Sequence, residues 1–158
     1  MSLVIDEANP DDLSPLLDLY HFLHERDPAL QLTAEVREIW RSILENPYHH
    51  NFVARAEGRM VSTCTLVVIP NLTRSTRPYA VIENVVTHPD FRKRGIGTQL
   101  LRHALRTAWA GGCYKVMLLT GRKDDATLRF YENAGFLRGV KTGIIAYPPA
   151  DSGPGVSP

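Results

Sequence analysis

The sequence predicts an α/β fold with a mixed, mostly antiparallel central sheet flanked by helices and partly parallel near its later strands. The length of 158 residues and the composition, with 44% apolar and 22% charged residues, fit one ordinary globular domain. The order of segments indicates the mixed sheet, because consecutive strands early in the chain favour antiparallel pairing and later strands that alternate with helices favour parallel pairing. We therefore predict a single domain over residues 1–147 and a disordered Pro/Gly/Ser tail over residues 148–158.

The first third of the chain predicts a short strand and two helices. Residues 3–5 form the strand, and Asn9-Pro10 followed by two aspartates is typical of a helix start that continues to about Glu25. Thr33 is placed to cap the second helix, which ends before Pro47. Its apolar residues recur at helical spacing, so the predicted inner face contains Val36, Ile39, Trp40, Ile43 and Leu44.

The rest of the chain predicts a hairpin followed by alternating helices and strands. The Glu57-Gly58 turn lies between two β-branched, apolar runs, which favours a hairpin. In chain order we predict strands at 51–56 and 59–69, a loop at 70–78, a strand at 79–87, a helix at 97–110, a strand at 115–120, a helix at 124–133 and a last strand at 142–147.

Charge and apolar patterning exclude several classes of partner. The formal net charge is +1, so no overall field attracts nucleic acid or an anionic membrane. No apolar stretch approaches the roughly 18 residues of a membrane span, and the start does not resemble a signal peptide, so we expect a cytoplasmic protein. Cys64 and Cys113 lack Cys-x-x-Cys spacing, and His49-His50 has no third ligand nearby, so no metal site is expected.

The most informative stretch lies between the strand at 79–87 and the helix after it. A basic loop turns there and two glycines open the helix, so unpaired backbone N–H groups and the positive end of the helix dipole meet at one place. Such a place favours an anion, and the alternative is a glycine-rich turn with a solvated basic face. The candidate anion-binding residues are Arg92, Lys93, Arg94, Gly95, Ile96, Gly97 and Thr98.

Two motifs identify what this loop resembles. It lacks the Gly-Lys-Ser/Thr of a P-loop, and Leu100 stands where a dinucleotide-binding loop has its third glycine. Arg92 to Gly97 instead resembles the Arg-x-x-Gly-x-Gly segment of the GNAT superfamily of acetyl-coenzyme A-dependent N-acyltransferases. Residues 124–136 resemble that family's Asn-x-x-Ala-x-x-Phe-Tyr-x-x-x-Gly-Phe pattern, with Asp124 and Thr127 as departures.

The resemblance implies acetyl-coenzyme A as cosubstrate, with no metal, and acetyl transfer to a primary amine of a small molecule by direct attack. Val85 and Thr87 would bind the pantetheine arm through their backbones, and the Val86 N–H would polarise the thioester carbonyl. Residues 82–86 and 112–115 look most like glucosamine 6-phosphate N-acetyltransferases, which usually have Glu-Asp where this chain has Glu83-Asn84.

Proton transfer requires a base for the amine and an acid for the thiolate. Glu83 is the candidate base: by strand alternation it shares a face with Val85 and Thr87, and its apolar neighbours predict a largely buried setting. The alternative is a structural carboxylate on a solvated face or paired with Arg77. Tyr131 is the candidate acid by the resemblance, and its alternative is a packing tyrosine.

Substrate selection is expected from the early helices and the loop at 70–78. The candidate substrate-binding residues are Tyr20, Arg74, Arg77 and Asn84. Two other functions stay open: a protein lysine or N-terminal acetyltransferase, and a non-catalytic acyl-coenzyme A sensor. A homodimer is possible.

Overall fold

A computed structural model describes residues 2–24 and 27–149. Five strands in these ranges form one sheet. The strands lie in chain order, and neighbours are antiparallel from the first to the fourth, whereas the fourth and fifth are parallel. This arrangement confirms the predicted mixed, mostly antiparallel sheet. The strands are β1 (Leu3–Glu7), β2 (His49–Ala56), β3 (Arg59–Ile69), β4 (Tyr79–Thr87) and β5 (Val116–Met117).

Helices cover both faces of the sheet. On one face, the first two helices pack with Val53, Met60 and Val86 of the sheet. On the other face, the two later helices pack on Phe52 and Leu66. The helices are α1 (Leu13–His21), α2 (Ala34–Glu45), the single turn α3 (Thr73–Thr76), α4 (Ile96–Ala110) and α5 (Asp125–Ala134).

A buried ion pair attaches α1 to the sheet. The Asp12 carboxylate accepts a hydrogen bond from Arg55 Nη2 of β2 at 2.7 Å and also accepts the backbone N–H of Asn9, which completes a capping box. The Asp12 side chain is 6% exposed, so removing one partner would leave a nearly buried charge, at a cost of about 3–5 kcal/mol. Asp12 thereby fixes the helix that carries Tyr20.

The structure corrects four details of the predicted elements. Ile39 is exposed, because the inner face of α2 is centred on Trp40. The predicted strand at 115–120 is reduced to Val116–Met117, and the predicted strand at 142–147 is absent, since those residues are exposed without strand pairing. The predicted loop at 70–78 contains α3, whose backbone is left-handed at Arg74 to Thr76.

Two predictions fall partly outside the described residues. The helix end at Glu25 is not described, and α1 ends at His21. Most of the predicted tail, residues 150–158, also lies outside the described part, so its disorder stays a prediction.

Candidate active site

The parallel strands β4 and β5 separate after two residue pairs. Ala80 pairs with Val116 and Val81 with Met117, and the described β5 has no further pairing with β4. The edge of β4 beyond Val81 therefore faces an opening. Its backbone groups on that edge have no partner strand there.

Backbone alternation decides which residues present their polar groups to this opening. His88 N–H donates to Val61 of β3 at 2.8 Å, and the Ser62 hydroxyl donates to the Val86 carbonyl at 2.9 Å. Because successive residues of a strand direct their backbone groups to opposite sides, the groups of Val86 face β3 and those of Val85 and Thr87 face the opening. The resemblance implies that the Val86 N–H polarises the thioester carbonyl, whereas the Val86 backbone faces β3 in the structure.

A β-bulge at Asn84 reverses the predicted orientation of Glu83. Asn84 has a left-handed backbone with φ of 53°, and the β3 register shifts there: Thr65 pairs with Glu83 but Thr63 pairs with Val86. Glu83 and Val86 therefore share one face of the sheet, the face of α1. The expectation that Glu83 shares a face with Val85 and Thr87 is wrong, because strict alternation does not hold across a bulge.

Glu83 is exposed, so the expectation of a largely buried setting is also wrong. Its apolar neighbours Ile82 and Val85 point to the opposite face, into the core around α4. The alternative pairing with Arg77 is not found, because Arg77 Nε and Nη2 donate to the carbonyls of Gly112 and Cys113 at 3.3 and 3.4 Å.

Tyr131 lies half-buried on α5, against the rings of Phe130 and Phe136. Burial raises the pKa of the Tyr131 phenol, and the negative charge of Glu83 raises it further. The hydroxyl of Thr120 and the charge of Arg122 lower the pKa of Tyr131 but do not cancel the increase. Glu83 and Tyr131 therefore lie near enough to interact electrostatically, although 48 positions separate them in the sequence.

Thr120 is a further residue beside Tyr131 that was not among the residues predicted from the sequence. Its hydroxyl oxygen accepts the Arg122 N–H at 3.2 Å, which orders the segment between β5 and α5. Thr120 ends the strand predicted at 115–120, and a hydroxyl at the end of a parallel strand is the signal that could have indicated it.

The basic loop forms a tight turn into α4. Gly95 is left-handed with φ of 75°, and no side chain caps the N-terminus of α4, so its first N–H groups are available for an anion. Arg92 Nε donates to the Thr87 carbonyl at 3.0 Å, and the Arg94 guanidinium lies 5.1 Å from the Phe91 ring centre. These residues fit a diphosphate, because free N–H groups and three basic residues, with Lys93 as the third, belong to one turn.

The remaining residues of the basic loop differ in how much of each is accessible to a ligand. Ile96 and Gly97 are buried, so only their backbones are available to a ligand, while Thr98 is half-buried. Because Gly97 has no side chain, the Phe130 ring and Thr87 Oγ1 can lie close to its backbone. A Cβ added to Gly97 would be 3.1 Å from each of them.

The two departures from the family's second motif contact each other. Thr127 donates its backbone N–H to Asp124 Oδ1 and its hydroxyl to Oδ2, both at 2.9 Å. This capping occupies both carboxylate oxygens and lowers the pKa of Asp124. Asp124 caps α5, as the sequence predicted.

Two of the predicted substrate-binding residues share a cavity of about 860 Å³ beneath α1. Tyr20 and Asn84 both line it. Burial raises the pKa of the Tyr20 phenol, while hydrogen bonding to Thr65 and Asn84 lowers that pKa by less. The cavity thus begins at the bulge next to Glu83.

The two predicted arginines lie elsewhere. Arg77 donates a hydrogen bond to the Gly112 carbonyl, and the Arg74 guanidinium lies 5.8 Å from the Tyr114 ring centre. Both arginines therefore lie near the starts of β4 and β5. The structure therefore does not bring Arg74 and Arg77 together with Tyr20 and Asn84.

The other sequence features carry no site. Cys64 is buried in β3, where burial raises the pKa of its thiol to about 12, so it stays protonated at neutral pH. Among residues 2–24 and 27–149, no three His, Cys, Asp or Glu side chains cluster closely enough to hold a metal. No helix in those ranges has the length and apolar character needed to cross a bilayer.

Comparisons with known proteins show which family the chain is similar to. Residues 16–136 match the acetyltransferase (GNAT) family. The chain is 33% identical over 136 residues to a glucosamine 6-phosphate N-acetyltransferase of Trypanosoma brucei brucei, covering 84% of this chain and 86% of that protein.

Two solved structures share the fold. An Agrobacterium tumefaciens protein named as an acetyltransferase superposes with a TM-score of 0.86 at 48% identity, covering 90% of this chain and 98% of that one. The glucosamine-6-phosphate N-acetyltransferase of Arabidopsis thaliana superposes with a TM-score of 0.79 at 20% identity, covering 92% and 97%, which shows the fold alone. The chain therefore belongs to the acetyltransferase (GNAT) family and is an N-acetyltransferase that uses acetyl-coenzyme A.

Proposed function

We propose that the protein transfers the acetyl group of acetyl-coenzyme A to a primary amine of a small molecule by direct attack, with Glu83 as base and Tyr131 as acid. One observation carries the proposal: β4 and β5 pair over only two residues, which leaves an opening beside the strand that carries Glu83. The charge of Glu83 also contributes to the raised pKa of Tyr131 on α5, which fits an acid near the same opening. A base and an acid near the same strand opening are what the two proton transfers require.

The coenzyme would be held by backbone groups more than by side chains. Val85 offers its N–H and carbonyl at the open edge of β4 and Thr87 offers its N–H, since the Thr87 carbonyl accepts a hydrogen bond from Arg92. The residues from Arg92 to Thr98 offer N–H groups and positive charge. We assign polarisation of the thioester carbonyl to the Val85 N–H, because the Val86 backbone faces β3.

The amine requires a base because an alkyl ammonium with a pKa near 10.4 is deprotonated in only about one molecule in two thousand at pH 7. The exposed carboxylate of Glu83 can accept that proton and release it to water. It lies on the α1 face, next to the cavity that contains Tyr20 and Asn84.

Tyr131 would supply the proton for the departing thiolate. Its raised pKa keeps the phenol protonated at neutral pH, which is the form that donates. When the phenol gives up its proton, the Thr120 hydroxyl and the charge of Arg122 stabilise the phenolate, since both lower the pKa of Tyr131.

A small acceptor is favoured over a protein. The Trypanosoma relative is named for an amino sugar phosphate, and the cavity beneath α1 is a concave pocket of about 860 Å³ rather than a groove along a strand edge. Asn84 lines this cavity, where glucosamine 6-phosphate N-acetyltransferases usually have an acid, so the amino sugar itself stays one candidate among several amines. A homodimer stays a prediction, which light scattering would check.

A thiol-release assay tests the proposal. Acetyl-coenzyme A is presented with amino sugars, polyamines, amino acids and peptides, and each product is identified by its mass increase. Acetylation of a small amine that falls in both Glu83→Gln and Tyr131→Phe, but not in the matched controls Glu45→Gln and Tyr48→Phe, would support it. Preferred acetylation of peptides, or coenzyme binding without turnover on any amine, would contradict it.

A further inference from the structure

The cavity beneath α1 extends past Tyr20 and Asn84 to Arg59 and His88, which also line it. Arg59 begins β3 and His88 follows β4, so both lie at the end of the sheet where the basic loop turns. His88 comes four positions after Asn84, and because the bulge sets three steps of β4 against two of β3, this corresponds to roughly 10–13 Å along the strand. A molecule that fills the cavity with its amine at Asn84 therefore has its other end near Arg59.

At that end, hydrogen-bond donors outnumber acceptors. Arg59 Nη2 lies 3.0 Å from His88 Nε2, and the Asp90 N–H lies 3.3 Å from His88 Nδ1. Both ring nitrogens thus face N–H donors, but a neutral imidazole has only one acceptor nitrogen. One of the two contacts leaves a donor without an acceptor.

Aromatic rings hold both groups in place. The Arg59 guanidinium lies 5.9 Å from the Phe91 ring centre, and the His88 ring packs edge-on against Phe22 at 4.9 Å and Phe91 at 5.9 Å. The donors are therefore positioned before a ligand arrives, which lowers the entropy cost of binding.

Positively and negatively charged side chains line different parts of the cavity. No carboxylate in residues 2–24 or 27–149 lies within 4.0 Å of the Arg59 guanidinium, while the exposed Asp90 carboxylate lies 3.8 Å from His88 Nδ1. Asp18 and Asp27 also line the cavity, from α1 and from the loop after it. A negatively charged ligand group is therefore best placed beside Arg59.

We propose that Arg59 and His88 form an anion subsite for the far end of the acceptor, which would be a primary amine carrying a carboxylate or phosphate roughly 10–13 Å from its nitrogen. The proposal rests on the proposed function, because it assigns the amine to the Asn84 end of the same cavity. Oxyanion lone pairs would accept from the guanidinium and from whichever ring nitrogen carries hydrogen. Glucosamine 6-phosphate, whose amine and phosphate share one compact sugar, is shorter than this spacing.

A ladder of ω-amino carboxylates tests the subsite. The acceptors are 4-aminobutanoate, 7-aminoheptanoate and 10-aminodecanoate, with decylamine, 1,10-diaminodecane and glucosamine 6-phosphate for comparison. We expect 10-aminodecanoate to have a KM about tenfold or more below that of decylamine and of 4-aminobutanoate. Arg59→Gln should remove this advantage without changing the KM of decylamine or of acetyl-coenzyme A, and the surface control Arg37→Gln should change none of them.

Three results would overturn the subsite: equal KM values for 10-aminodecanoate and decylamine, a preference for the diamine, or an Arg59→Gln effect on acetyl-coenzyme A alone. The last would assign Arg59 to the coenzyme's phosphates. Calorimetry with 10-aminodecanoate and coenzyme A separates this inference from the proposed function. If no amine is acetylated but binding occurs and depends on Arg59, the subsite stands and the proposed function fails.

Discussion

Gly97 of α4 lies directly against Phe130 of α5, so closely that a Cβ on the glycine would be 3.1 Å from the ring. The basic loop motif and the second motif, separated by about thirty positions in the chain, therefore touch in the folded protein. The Thr87 hydroxyl, at the end of β4, lies 3.1 Å from the same Cβ position and 2.8 Å from Ser62 Oγ. The lack of a side chain at Gly97 therefore allows α4 and α5 to pack closely beside the opening, and it also leaves space for a ligand at the N-terminus of α4.

Substitution of Gly97 should destabilise the fold. We expect Gly97→Ala to lower the free energy of unfolding by about 1 kcal/mol, because the displacement of Phe130 or Thr87 by the methyl group outweighs the gain in helix propensity. Denaturant unfolding checks this, with Gly121→Ala as the control, since nothing lies within 4 Å of a Cβ built there. Equal stabilities of the two variants would contradict the close packing.

Glu83→Gln should lower turnover at pH 7 by about 10²-fold if the carboxylate takes the ammonium proton. The deficit should shrink as the pH rises, because more of the amine is then already deprotonated. A deficit that stays constant past the pKa of the amine would mean that Glu83 positions the substrate, and no deficit would make it a structural carboxylate.

The same variant has a readout that does not depend on activity. The charge of Glu83 raises the pKa of Tyr131, so Glu83→Gln should lower the pKa of Tyr131. Ultraviolet titration of the variant, compared with Tyr131→Phe to isolate this phenol among the six tyrosines, measures the shift. An unchanged titration would place the two groups too far apart to act on one reaction centre.

Tyr131→Phe removes the phenol and keeps the ring that packs on Phe130. We expect kcat to fall by about 10²-fold or more while the KM of acetyl-coenzyme A holds. In the parent enzyme kcat should decline as the pH rises through the pKa of Tyr131, which burial raises from its ordinary value, and in the variant this decline should disappear. A variant with the parental kcat would contradict the role of acid.

Asn84 should tolerate glycine better than alanine. Its φ of 53° is left-handed, so Asn84→Ala should cost about 1 kcal/mol of stability, whereas Asn84→Gly should fold with little loss. Thermal unfolding of both variants measures the difference. If alanine were as stable as glycine, the bulge that turns Glu83 to the α1 face would not depend on this backbone conformation.

The sequence by itself determined the order of the elements from β1 to α5 apart from the single turn α3, and it also determined the mixed sheet, the basic turn before α4 and the family motifs. These features depend on local periodicity, helix caps and short-range spacing. Strand β4, for instance, has the predicted bounds, and Thr33 and Asp124 cap helices as expected. The tertiary structure decided what depends on pairing between distant segments. The bulge at Asn84 arises from the register of β4 on β3, and it places Glu83 on the α1 face of the sheet, where its side chain is exposed. Likewise, the contact of Gly97 with Phe130, the binding of Arg77 to the Gly112 turn and the cavity from Asn84 to Arg59 follow from how strands and helices pack, which no local pattern contains.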